Sequence, residues 1–253
     1  MTVALETRGL CKNFGALAVA RSIDFRLETG ARHALIGPNG AGKTTLVNLI
    51  TGRIAPSSGQ VFIAGDDVTR LAEAQRVKRG LARTFQITTL FKGLSVLENV
   101  TMAVGERENT TANMWRAAGS RRAIVEEAYG LLERLGIAAD AMRRVAELPY
   151  GRQRLAEIAM ALALRPRVLL LDEPAAGVPS TESAVILDVV GALPDDIAVL
   201  IIEHDMELVF RFARRITVLV EGAILTEGTP AEIAADSRVR EVYLGKSHGA
   251  DHG

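Results

Sequence analysis

The run Gly37-Pro38-Asn39-Gly40-Ala41-Gly42-Lys43-Thr44 constrains this chain more than any other stretch. It follows the apolar segment 31–36 and leads into Leu46-Val47-Asn48-Leu49-Ile50, which reads as a helix. Buried strand, glycine-rich loop and helix, in that order, form the setting in which a backbone cradles phosphate. Glycines let the chain curl until several N–H groups point at phosphate oxygens. The helix starting near Lys43 adds its positive dipole end. In such a loop Lys43 reaches the β- and γ-phosphates and the Thr44 hydroxyl can ligate Mg2+, with Thr45 beside it. A chance glycine turn would not account for the flanking strand and helix. The motif points to a nucleotide without saying what the nucleotide is used for.

The rest of the chain supplies a frame for that loop. Hydrophobic residues make up 48% of the 253, enough to bury a core in one large domain or a domain with a subdomain. Aromatics are only 4%, so Val, Leu, Ile and Ala must build that core. The most apolar runs, 168–171 and 197–202, fall far short of the ~20 residues a membrane-crossing helix needs. They suit strands buried on both faces of a parallel sheet. The stretch up to Leu27 has short apolar segments and a turn at Asn13-Phe14-Gly15, reading as a small, mainly β region. Between 90 and 164 the period changes: Ile124, Ala128, Leu131, Leu132 and Leu135 fall on one helical face. Strand-like runs return at 168–171, 199–202 and 216–220, alternating with helical stretches.

Charge and cysteine use exclude some classes. Thirty basic and thirty acidic residues cancel, which disfavours generic nucleic-acid binding. The only cysteine, Cys11, can form no disulfide within the chain, and nothing suggests an oxidising compartment. The first eight residues lack a cationic head followed by a long apolar stretch and do not read as a secretion signal. A role at a membrane would require another chain to span it.

A second chemical motif is Val168-Leu169-Leu170-Leu171-Asp172-Glu173, an apolar strand ending in two carboxylates. Alone it could equally be solvated strand-end charge. Beside a phosphate loop, Asp172 is placed to hold Mg2+, usually through water, and Glu173 to act as general base or orienter for the attacking water.

Four further stretches, in order, bring a family into view. Leu148-Pro149-Tyr150-Gly151-Arg152-Gln153 resembles the signature motif of ABC ATPases. Gln86, in Ala82-Arg83-Thr84-Phe85-Gln86, is similar to their Q-loop, and His204, in Ile201-Ile202-Glu203-His204-Asp205-Met206, to their switch histidine. Phe14 stands where the family has an aromatic that stacks on adenine. Taken singly, each has an ordinary structural explanation; their order around the phosphate loop, over nearly the whole chain, does not.

The resemblance implies an α/β fold: a P-loop, RecA-like core with an N-terminal antiparallel β region and an inserted α-helical subdomain. In the single domain 1–253, the nucleotide-binding core takes 1–89 and 165–235, the helical subdomain with the signature motif 90–164, and a C-terminal tail 236–253, its polar end 246–253 frayed. It further implies ATP and Mg2+ as cofactors, with Thr44, Gln86 and Asp172 around the metal and Glu173, His204 and Gln86 as the catalytic set. Phe14 and the 37–45 loop would bind ATP within the chain. Tyr150, Gly151 and Arg152 would meet the ATP of a second ATPase subunit facing this one head to tail, alike or different. Two permeases, and indirectly a solute-binding protein, would complete a machine with this chain on the cytoplasmic face of the membrane.

Several departures from the family pattern bear on that picture. Pro149 replaces the usual signature serine, removing a hydroxyl and a backbone N–H. Tyr150 replaces a glycine and Arg152 a glutamine; Arg152 either offers charge to the phosphates or is a solvated arginine. Ala175-Ala176-Gly177-Val178-Pro179 lacks the aspartate typical of the D-loop. The ATP site completed by this signature is therefore expected to be the weaker of a pair. Within the family, the stretch 82–86, Leu90-Phe91, Leu97-Glu98-Asn99-Val100, Pro174-Ala175-Ala176-Gly177, Glu203 to Met206, Glu227 to Glu232 and Val239 to Gly245 look like the ATPases of branched-chain amino-acid importers. Alternatives are importers of urea, amides or other amino acids, a soluble non-transport ABC ATPase, and a small-molecule kinase on a phosphate-loop fold. The last leaves Gln86, Tyr150-Gly151 and His204 without a role.

Overall fold

The computed structural model describes residues 2–84, 90–108 and 118–244. Two strands, β1 (Val3–Phe14) and β2 (Leu17–Glu28), form a hairpin whose turn is Gly15 and Ala16; of the turn read at Asn13 to Gly15, Asn13 and Phe14 are still paired strand. The chain then enters β3 (Arg32–Ile36), the phosphate loop and α1 (Lys43–Thr51), followed by β4 (Ser58–Ile63), β5 (Asp66–Asp67) and the short α2 (Glu73–Val77). Strand β6 (Leu81–Thr84) precedes a helical block, α3 (Val96–Arg107), α4 (Ala118–Arg134) and α5 (Tyr150–Ala163). The chain finishes as β7 (Val168–Asp172), α6 (Ser180–Gly191), β8 (Ala198–Ile202), α7 (Met206–Phe212), β9 (Arg215–Val220), β10 (Ala223–Gly228), α8 (Pro230–Ala235) and α9 (Ser237–Leu244).

Two sheets result. One is antiparallel, in the order β2-β1-β4-β5; the other runs β10-β9-β3-β8-β7-β6, parallel except for β10. The expected antiparallel N-terminal region, P-loop core and helical insertion are thus all present. The region assigned to a tail differs: Ser237–Leu244 is helical and packs Val239 and Tyr243 against the core. The frayed end expected at 246–253 lies outside the described residues.

The central strands β3, β7 and β8 are buried along their whole length, and period-2 alternation divides their side chains between two cores. Leu35, Val168, Leu170, Ala198 and Leu200 face the core shared with α1 and the antiparallel sheet. Ala34, Ile36, Leu169, Leu171, Val199 and Ile201 face a second core that continues into the helical block through Val100, Leu132, Leu155 and Ile158. Every strand of this wall ends at one edge, so the loops after β3, β7 and β8 gather there, as open α/β sheets place their ligands.

Local chemistry sets the helix starts in the insertion. Ser95 caps α3 by accepting from the Glu98 N–H at 3.2 Å, while the Glu98 carboxylate accepts from the Ser95 N–H at 2.7 Å. Buried Asn99 then ties the preceding loop down, accepting from Phe91 N–H and donating to the carbonyls of Phe91 and Ser95.

Candidate nucleotide site

The phosphate loop leaves β3 at Gly37 and closes onto α1 through the Ala41 N–H to Pro38 carbonyl bond at 3.1 Å and the Leu46 N–H to Gly42 carbonyl bond at 2.8 Å. Gly42 has φ +100°, and a Cβ there would stand 2.9 Å from the Val19 carbonyl oxygen, so no side chain fits. A Cβ at Gly37 would collide with the Leu219 carbonyl oxygen. Asn39 and Gly40 are exposed at the tip, as is Thr44 in the first turn of α1. No side chain caps this helix, so its first N–H groups remain for a ligand.

Lys43 folds back over the loop. Its ammonium donates to the Gly37 carbonyl at 2.6 Å and to that of Pro38 at 3.1 Å. Burial pushes its pKa down, and the nearby Glu173 and Asp172 carboxylates oppose that shift. A cation pinned by main-chain oxygens beside two carboxylates is a preformed counter-charge for phosphate.

Asp172 ends β7, almost wholly buried, and accepts from the Arg83 guanidinium at 2.7 Å. Glu173 follows in the left-handed region at φ +47°, with its N–H on the Ile202 carbonyl at 2.9 Å. A non-glycine residue is strained there, and the strain turns the chain sharply at the strand end. The Glu173 carboxylate lies 3.6 Å from the His204 Nδ1, and both side chains reach solvent. Loop, Asp172, Glu173 and His204 thus meet at one sheet edge.

Two residues that the motif search left without a role belong here. Arg83 also donates to the Asn48 Oδ1 on α1 at 2.9 Å. Buried Glu203 accepts from the N–H groups of Ala175, at 3.3 Å, and His204, at 3.2 Å. Burial raises the Glu203 pKa, and the two N–H donors partly offset that. The signal available in sequence was a charged residue inside, or directly closing, an apolar strand.

The signature segment sits elsewhere. Pro149 is the residue before α5 and offers no side-chain cap. The Tyr150 hydroxyl accepts from Arg154 at 2.6 Å, under a guanidinium 4.9 Å above its ring, and the ring edge abuts Gly177. Gly151 packs against Glu182, where a Cβ would collide with its carboxylate. Arg152 donates to the Gly136 carbonyl at 2.8 Å. No hydrogen bond among the described residues joins 149–152 to the 37–45 loop. Phe14 stands exposed at the hairpin tip, with the Lys12 ammonium 5.1 Å from its ring centroid. Gln86 lies outside the described residues.

Residues 20–176 match the family model described as ABC transporter. The chain belongs to the ABC transporter family. Residues 223–249 of this cassette also match a model described as branched-chain amino acid ATP-binding cassette transporter. It is 36% identical over 250 residues to the high-affinity branched-chain amino acid transport ATP-binding protein BraF of Pseudomonas aeruginosa, covering 96% of this chain and 98% of that one. The corresponding LivG protein of Escherichia coli K12 is 35% identical with the same coverage. The ADP conformation of MJ1267, an ATP-binding cassette of an ABC transporter, superposes with a TM-score of 0.84 at 30% identity, over 97% of this chain and 100% of that one. ABC cassettes of this kind bind and hydrolyse ATP to drive transport. Among the described residues no helix is long and apolar enough to cross a membrane.

The residues present fit a divalent cation. The Thr44 hydroxyl and the Asp172 carboxylate are hard oxygen donors at the phosphate edge, and Mg2+ normally completes its shell with phosphate oxygens and water.

Proposed function

We propose that this cassette is the ATP-hydrolysing subunit of an importer for branched-chain amino acids, seated on its permeases at the cytoplasmic face of the membrane. The observation that carries the catalytic part is the gathering of Lys43, Asp172, Glu173 and His204 at one sheet edge. The match at the C-terminal end and the likeness to BraF and LivG support the cargo class.

The chemistry follows from those groups. ATP phosphates replace the Gly37 and Pro38 carbonyls as partners of Lys43, and the loop and α1 amides bind the remaining oxygens. Mg2+, held on the Thr44 and Asp172 side, would neutralise charge building on the phosphates. Glu173 takes a proton from water as the water oxygen bonds to the γ-phosphorus and the bond to the ADP oxygen breaks. His204, beside Glu173, steadies that water and the γ-phosphoryl group; Gln86 and Phe14 keep the metal-side and adenine roles their motifs imply.

The resemblance assigns Tyr150, Gly151 and Arg152 to the ATP of a facing subunit, and among the described residues none of them is hydrogen-bonded to the chain's own loop. The γ-phosphate then bridges two cassettes, and its loss opens the pair. Assembling the cassette with branched-chain amino-acid permeases, in vesicles, tests the whole reading. ATP-dependent leucine uptake that stops with Glu173→Gln is expected. Uptake of urea or an amide instead would replace the cargo, and ATP hydrolysis without any permease binding would remove the transport role.

A further inference from the structure

Asp172 is withdrawn from water, its side chain 9% exposed, and an isolated carboxylate in such a place is costly unless a cation faces it. Among the described residues, two cations do so. Lys43 is one, but its ammonium is bonded to the loop carbonyls. The other is Arg83, whose side chain is only 8% exposed. It reaches from β6, where it pairs in register with Leu170 of β7, and donates to the Asp172 Oδ2 at 2.7 Å and the Asn48 Oδ1 at 2.9 Å. One planar guanidinium thus spans the helix of the phosphate loop and the carboxylate strand, three residues before Gln86 on its own segment.

We propose that Arg83 is a positioning residue for the metal side of the site: it is the standing counter-cation of Asp172 when no divalent ion is bound. It fixes the carboxylate through one oxygen, leaves the other for the metal side, and spares the cassette from depending on Mg2+ to stay folded. This rests on the assignment of Asp172 to Mg2+ made above.

Thermal unfolding with saturating ADP, once in EDTA and once in excess Mg2+, tests it without reference to turnover. In EDTA, Arg83→Met should lower Tm by on the order of 10 °C, as expected for stripping one partner from a buried ion pair. Mg2+ should then raise the Tm of Arg83→Met by clearly more than it raises that of the wild type. Arg83→Lys, which keeps a cation, should fall between them. The double variant Arg83→Met/Asp172→Asn should regain most of the loss, because the buried charge has gone with its partner. Equal Mg2+ increments in wild type and Arg83→Met, or a double variant no more stable than Arg83→Met, overturn the proposal. If Arg83→Met fails to fold and the double variant folds, charge compensation stands; if neither folds, Arg83 acts through other contacts and the proposal fails. A wild type without any Mg2+ increment, or an Asp172→Asn single variant that keeps the full increment, removes instead the assignment of Asp172 to the metal.

Discussion

Two helix N-termini in this cassette, that of α1 at the phosphate loop and that of α5, which the proposed function turns toward a neighbour's ATP, are furnished very differently. At α1 the chain offers uncapped amides, a glycine no other residue could replace and a pinned lysine. At α5 it offers amides preceded by Pro149, which has neither hydroxyl nor N–H, with Arg152 turned to the Gly136 carbonyl and Tyr150 held by Arg154. Under the proposed function, the subunit is well equipped to bind its own nucleotide and sparsely equipped to complete a neighbour's. Capacity to hold ATP and capacity to close over another subunit's ATP are separable properties of one chain.

The sharpest way to break that contrast is at the well-furnished end. Glu173→Gln should leave nucleotide affinity nearly intact while slowing single-turnover hydrolysis by about 100- to 10,000-fold, the range for loss of a general base. Wild-type rates would move that role to another group, His204 first.

Next in size is an acid weakness confined to the α1 half. His33, on the strand feeding the phosphate loop, is buried against Phe25 and bonded to the Thr217 hydroxyl at 2.8 Å, which in turn donates to Glu227. Burial holds its pKa down at about 4; the Glu227 charge opposes this and Arg215 adds to it. The unfolded chain takes up that proton near pH 6.5, whereas the folded one resists until about pH 4. Stability is therefore fully present above pH 6.5 and falls across that window, by on the order of 3 kcal/mol. Denaturant melts of wild type and His33→Gln at pH 7.5 and 5 check this. The variant should lose less on acidification, and parallel losses would assign the effect to other groups; buried Glu203 is not one of them, because a carboxyl raised by burial gains stability as pH falls.

Lys43→Ala should weaken ATP binding by about 10- to 100-fold, the worth of hydrogen bonds to a charged partner, in an equilibrium titration of the isolated cassette. The smallest change is expected at the poorly furnished end. Pro149→Ser adds a hydroxyl and an N–H at the start of α5 and should raise turnover of the assembled pair by a few-fold to about tenfold. The same serine should also cap α5 for about 1 kcal/mol, visible as a higher Tm. A rate unchanged by the serine would mean that the pair closes well without those donors.

How much was legible in the sequence follows the same division between local and distant chemistry. The phosphate loop and the carboxylates ending β7 could be read because the residue types are themselves the chemistry and their spacing is local. Strands β3, β7 and β8 could be read because burial on both faces leaves continuous apolar runs. Arg83 and Glu203 escaped because their partners, Asp172 and Ala175, lie far along the chain and meet them only through sheet pairing. The helix Ser237–Leu244 escaped because it is short and polar on average, with Val239 and Tyr243 packing against the core from a stretch that otherwise reads as solvated tail.

Glu203 carries a mechanical consequence. One buried carboxylate accepts from the turn after Glu173 through one oxygen and from the main chain of His204 through the other, so the two loops share an anchor. A displacement of the Ala175–Gly177 turn by an approaching subunit would be felt at the histidine through that shared carboxylate. The timing of water attack would then be tied to docking at the dimer face, even with no nucleotide atom passing the message.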